Sequence, residues 1–246
     1  MRRRGPSLLL REHYPAGAHV VMDGVSEYVN IDAASALVDF NDEPHTIAIW
    51  FKVADITSDA VGEALFGFGN ADSGSRYWAT IKDTGALVLY GLADSSTFLW
   101  SAAGKVVGSG LDDDEWHVVV LTYNGSDTLT AYIDGATGVT QAVGSGDLQG
   151  TVGALGALRF NSGSSVSRYF SGKVASFAMF DRVLDAGEMD VLERQTPLAD
   201  IRNMQPQVWL WCGDKDAITD MRNHGLLALT PAMQNAEVED IASGSP

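Results

Sequence analysis

Only one cysteine, Cys212, occurs in 246 residues, so no disulfide can close within the chain, as expected of a protein that folds in a reducing compartment. Basic residues are scarce as well: 16 Lys and Arg stand against 32 Asp and Glu, a net charge of −16. A body this acidic repels nucleic acid and anionic membranes over most of its surface. No run of about 18 apolar residues occurs, so no helical membrane span is expected either. Neither nucleic acid nor a membrane is therefore an expected partner. Also missing are a glycine-rich nucleotide loop, a zinc-binding pattern and a Ser-His-Asp grouping, and His13, His19, His45, His117 and His224 show no metal-ligand spacing. What is abundant is glycine, at 26 residues, in a chain that is 46% hydrophobic. That combination suits many short strands and tight turns around a sizeable core.

The scarce positive charge is concentrated at the start. Residues 1–18 hold Arg2, Arg3, Arg4 and Arg11 against Glu12, a net +3, so the other 228 residues carry −19. The apolar stretch in this segment is only Leu8-Leu9-Leu10 before Arg11, short of the roughly 7 to 15 residues that a secretory signal needs. The expectation is a protein made without export, with residues 1–18 as an extended basic arm whose four arginines contact a partner.

Beyond the arm, residues 19–195 are dense in strand signals. In Thr46-Ile47-Ala48-Ile49-Trp50-Phe51-Lys52-Val53 the odd positions are large and apolar, the period of a half-buried strand. Trp116 to Tyr123, then Asn124-Gly125, then Thr128 to Ile133, then Asp134-Gly135, reads as antiparallel strands joined by hairpins, because Asn-Gly and Asp-Gly enter the left-handed region at little cost. Further turn signals at Asp23-Gly24, Asp83-Thr84-Gly85, Asn161-Ser162-Gly163 and Ser171-Gly172 punctuate the rest. Short strands without alternating long helices predict an all-β sandwich rather than an α/β fold. Residues 196–246 form a C-terminal extension, in which Val208-Trp209-Leu210-Trp211 reads as one more strand that docks the tail on the sandwich or on a neighbouring subunit.

Three blocks in order resemble a known family. They are Val20 to Ile31, the Trp116 to Gly135 block, and Phe170 to Leu184 with its Arg182-Val183-Leu184 turn. They look like the opening strands, the Trp-led hairpin and the closing strand of laminin G-like, concanavalin A-like jelly rolls. The tail's Asn223-His224-Gly225-Leu226 is similar to a turn of the same family. Ala175-Ser176 depart from it, standing where many relatives place acidic residues. The resemblance implies an antiparallel two-sheet jelly-roll sandwich, with one short helix near 185–195, whose members bind sugars, bind proteins or build structure. Fold alone does not choose among these.

Several constellations are candidates for chemistry. Glu188-Met189-Asp190-Val191-Leu192-Glu193 fits the Glu-x-Asp-x-x-Glu pattern of laminarinase-type hydrolases, which use two carboxylates on a strand. Here Asp185 and Glu188 are spaced as a capping box and Met189 and Leu192 as a buried helical face, so the carboxylates diverge and no enzyme is expected. Asp112, Asp113 and Asp114, with Glu115, offer hard oxygen ligands that suit Ca²⁺, the one cofactor considered, although such a run also reads as a solvated loop guarding a strand edge. Asp214, Asp216 and Asp220 form a second acidic cluster. Tyr77, Trp78, Tyr90 and Trp100 are candidates for stacking on a sugar, with burial in the core as the alternative.

Three functions follow as expectations. The first is a non-enzymatic structural protein of a virus particle, such as a bacteriophage capsid-decoration or tail-associated subunit, found in the virion with other virion proteins and further copies of itself as partners. The second is a carbohydrate-binding module for cell-surface glycans, and the third, least favoured, a glycoside hydrolase.

Overall fold

The structure, a computed structural model, describes residues 19–38, 43–54, 56, 62–69, 75–94, 96–136, 138–144, 151–160, 165–193, 201, 203–211, 222–223, 232–234 and 241–242. The basic arm, the acidic cluster at 214–220 and the His224 turn lie outside these residues. In chain order the first strands are β1 (His19–Asp23), β2 (Tyr28–Asn30), β3 (His45–Lys52), β4 (Glu63–Gly69), β5 (Arg76–Ile81), β6 (Leu87–Leu92), β7 (Lys105–Gly108), β8 (Trp116–Tyr123) and β9 (Thr128–Ile133). They continue with β10 (Val139–Ala142), β11 (Val152–Leu155), β12 (Leu158–Phe160), β13 (Ser165–Ser167), β14 (Ser171–Phe180), β15 (Val208–Trp211), β16 (Arg222–Asn223), β17 (Ala232–Gln234) and β18 (Ile241–Ala242). A 3-10 segment spans Asp32–Leu37, and one short helix, α1, spans Ala186–Glu193.

Two antiparallel sheets stack as a sandwich. The first has nine strands, in the order β10-β9-β8-β3-β14-β1-β18 with β15 and β16 continuing from β14, and the second has seven, in the order β17-β2-β11-β4-β5-β6-β7. A separate two-stranded hairpin, β12-β13, lies against β4. β1 and β2, consecutive in the chain, belong to different sheets. Asp23 turns the chain between them, its Oδ1 accepting the N–H groups of Val25 at 2.8 Å and Ser26 at 3.0 Å.

The expected hairpins form for the expected reason. Between β8 and β9, Asn124 Oδ1 accepts the N–H groups of Ser126, Asp127 and Thr128, each at 3.0 Å, and Gly125 takes a φ of 77°. Between β9 and β10, Asp134 and Gly135 both have positive φ, as a tight turn matching the twist of its strands requires.

Between the sheets, alternate residues interdigitate: Ile47, Ile49 and Phe51 of β3 meet Phe66 and Phe68 of β4, Tyr77 of β5 and Phe177 of β14 in one continuous core. The even positions of β3 are a different matter. Periodicity predicts a half-buried strand, yet Ala48 and Trp50 are as buried as their odd neighbours. They join Val118, Val120, Ala178 and Phe180 in a second apolar cluster on the outer face of the nine-stranded sheet, covered by Met189 and Leu192 of α1 and by Ile201, Met204 and Trp209. A bulge at Ala175 in β14 shifts the alternation, so that Val174 and Phe177 both face the inner core while Ala175 and Ala178 face the helix.

β14 is divided along one edge. Its first half pairs with β1 through residues 171–174, its second half with β15 through residues 176–179, and β3 runs along the other edge. Ser176 fixes the junction, its Oγ donating to Leu210 O at 3.1 Å and accepting the Trp209 indole N–H at 3.2 Å.

Candidate functional site

The four aromatic candidates divide by strand parity. Tyr77 and Trp78 are adjacent in β5 and point to opposite faces. Tyr77 lies wholly in the inter-sheet core, edge-on to Phe66. Trp100 fills the space above Gly91, the strand partner of Tyr77, meets Tyr77 edge-on at 6.2 Å and donates its indole N–H to Leu89 O at 3.1 Å. Both therefore serve the core side and not a sugar-facing surface. Trp78 and Tyr90, opposite one another in β5 and β6, do reach the outer face of the seven-stranded sheet, and their rings stack at 4.8 Å and 9°. Each is only 7% exposed. Leu158 of the β12-β13 hairpin packs beside Trp78, and Gly104 brings the 101–104 turn down onto Tyr90, because neither Gly67 beneath Leu158 nor Gly104 has a side chain to hold these segments off. The two rings are packed against each other and their covers, with no open face for a sugar.

The acidic run likewise separates. The Asp112 carboxylate lies against Gly85, Asp113 Oδ1 bonds His117 Nε2 at 3.0 Å, and Asp114 Oδ1 pairs with Lys52 Nζ at 3.1 Å. Among the described residues no three His, Cys, Asp or Glu side chains converge as a metal site would need. Each carboxylate of the run proposed for Ca²⁺ is drawn to a different neighbour.

His117 is the better-engaged centre of that loop. Its Nδ1 is 2.7 Å from Asp134 Oδ2, and Asp134 Oδ1 accepts the Val118 N–H at 2.9 Å. Burial works against a charged ring here, but the hydrogen bonds and charges of Asp134 and Asp113 outweigh it and hold the imidazole above its ordinary pKa.

The hydrolase-like motif is a helix cap. Asp185 Oδ1 accepts the N–H groups of Gly187 and Glu188 at 2.8 and 2.9 Å, and Glu188 Oε2 accepts the Asp185 N–H at 3.0 Å, the reciprocal box expected from the sequence. Arg182 grips both Glu188 oxygens at 2.6 Å, and this pairing holds the carboxyl below its usual range. Glu193 is pushed the other way by burial and by Asp190 and Asp134.

An open pocket lies elsewhere, on the outer face of the nine-stranded sheet beyond the patch that α1 covers. It encloses about 310 Å³. Val21 and Ala54 give it an apolar floor, with Met22 and Val53 turned into the inter-sheet core behind it, and Lys52, Lys173 and Asp114 stand at its wall. Strand register creates it: Val21, Lys173, Lys52 and Trp116 are successive partners across β1, β14, β3 and β8. Behind it, Glu63 Oε2 accepts the Ser171 N–H at 2.7 Å, and burial raises that carboxyl despite the bond. Sequence reasoning passed over both lysines. Only the pairing of β3 with β14 brings them together, and no spacing along the chain signals it.

A laminin G-like family model, described as the concanavalin A-like lectin/glucanases superfamily, matches residues 23–189. The chain belongs to this superfamily. Comparison with curated proteins returns no sequence match. Among solved structures, this superfamily member is similar in fold to the carbohydrate-binding module CBM40 of the Ruminococcus gnavus IT-sialidase, at 15% identity and a TM-score of 0.54 over 71% of this chain and 97% of that one. That module has also been solved bound to α2,3-sialyllactose. A heptameric SAP-like pentraxin from Limulus polyphemus is similar at 13% identity and a TM-score of 0.51 over 75% of this chain and 82% of that one. The LG4-5 domains of the mouse laminin α1 chain are similar at 15% identity and a TM-score of 0.50, over 75% of this chain and 45% of that one.

Proposed function

We propose that this protein is a non-catalytic glycan-binding module. The observation that carries the reading is the open pocket of about 310 Å³ on a lectin-type sandwich. It falls at the lower end of the roughly 300 to 1,000 Å³ of small-molecule sites and combines an apolar floor with a few polar groups at its wall, as recognition of a sugar ring requires. The likeness to a carbohydrate-binding module supports the same reading at the level of fold. The Glu-x-Asp-x-x-Glu motif supplies no hydrolytic pair, since Glu188 is committed to Arg182 and the helix cap. The test is a glycan array probed with the full-length protein, followed by calorimetry on any hit. Saccharide binding that is lost when Val21→Trp fills the pocket supports the reading, and an array with no saccharide bound overturns it.

A place in a virus particle is a second reading, favoured by the charge contrast between the arginine arm and the −19 body. Sizing the protein with and without residues 1–18 tests whether the arm drives assembly with virion partners or with further copies.

A further inference from the structure

We propose that the pocket at the end of β3 and β14 recognises an anionic group, a carboxylate or a sulfate carried on the sugar, and that Lys173 is the residue that reads it. This rests on the glycan-binding reading and names the ligand class that the same pocket takes. Three observations converge. Lys52 and Lys173 are direct cross-strand partners, which places two like charges side by side on one face, an arrangement that costs stability in a sheet unless something answers it. Lys52 is answered, by Asp114 Oδ1 at 3.1 Å. The Lys173 ammonium makes no hydrogen bond or ion pair among the described residues, yet the residue lines the open cavity. The described charges at the wall therefore sum to one unmatched cation, in a chain whose net charge is −16.

The surroundings define what would fit. Val21 and Ala54 offer the apolar floor on which the C–H face of a pyranose can rest, while the ammonium of Lys173 donates to an oxyanion at the rim. Asp114 disfavours a second negative charge on the ligand near Lys52, so one acidic group, not a densely charged polyanion, matches the site. An anion beside Lys173 also offsets the repulsion between the paired lysines, and any ligand that binds only the folded protein raises its melting temperature.

The experiment compares glucose, glucuronic acid, glucose 6-sulfate and inorganic sulfate by calorimetry and thermal shift, on the full-length protein and on Lys173→Gln. Lys105→Gln, on the remote strand β7, removes the same charge without touching the pocket. The expected result is that one of the two acidic sugars binds at least about tenfold more tightly than glucose, that Lys173→Gln abolishes this preference, and that Lys105→Gln retains it. Which acidic sugar binds separates a carboxylate from a sulfate. Glucose binding as tightly as the acids, or an unchanged preference in Lys173→Gln, overturns the anionic assignment while leaving glycan binding intact. Inorganic sulfate bound through Lys173 with no saccharide bound does the reverse: the anion site stands and the glycan-binding reading falls.

Discussion

At the scale of single residues, two buried histidines are shifted in opposite directions. His117 is held above its ordinary pKa by Asp134 and Asp113, so its contribution is complete below the unfolded value of about 6.5 and disappears as pH rises through the higher folded value. His45 is fully buried, and loss of solvation pushes it down to about 4, so its cost appears as pH falls below about 6.5, when the unfolded chain takes up a proton that the folded ring refuses. Urea unfolding followed from pH 5 to pH 9 is therefore expected to show wild type losing stability relative to His117→Gln as pH rises above neutrality. A difference between the two proteins that does not change with pH would show that the bracket of aspartates does not hold the charged ring. Of these details the sequence showed His117 as a strand residue and the acids before it as a run. That Asp134, 17 positions away, completes the bracket depends on the β8-β9 hairpin closing on itself.

At the scale of elements, what could be read from the chain was what local physics determines. The Asn124-Gly125 and Asp134-Gly135 turns, the strand at Val208–Trp211 and the capping box at Asp185 and Glu188 each depend on a few neighbouring residues, and each forms. Alternation in β3 was legible too, but not its meaning. Ala48 and Trp50 look like the solvent side of a half-buried strand until α1 and Trp209 are seen to cover them, and that cover arrives from 130 or more residues later. Tyr77 and Trp78 show the same limit: adjacency alone puts them on opposite faces, but which face is the core, and that the other is roofed by the β12-β13 hairpin, is set by tertiary packing. The helix cover has an energetic consequence. Leu192 is fully buried between α1 and the outer face of the nine-stranded sheet, so Leu192→Ala is expected to cost about 2 to 5 kcal/mol of stability. Chemical denaturation measures it, and a loss below about 1 kcal/mol would mean that the helix rests on the sheet without packing into it.

At the scale of the molecule, the nine-stranded sheet is a middle layer, with the seven-stranded sheet on one side and α1 with Ile201 and Met204 on the other. The strand β15 is then a member of the sandwich itself. β15 supplies the only partner that the described residues offer to positions 176–179 along that edge of β14, and Trp209, 1% exposed, closes the second core. Removing everything after residue 195 would strip four ladder positions from a central strand and open a socket the size of an indole. Loss of one large buried aromatic alone costs about 3 to 5 kcal/mol, against total stabilities of about 5 to 15. The unpaired β14 edge would in addition invite pairing between molecules. The truncated chain is therefore expected to melt at least about 10 °C lower than the full chain, and to aggregate on heating. Differential scanning calorimetry decides it. A truncated protein that unfolds cooperatively at the same temperature would mean that residues 19–195 fold independently and that the tail is an accessory laid over a finished sandwich.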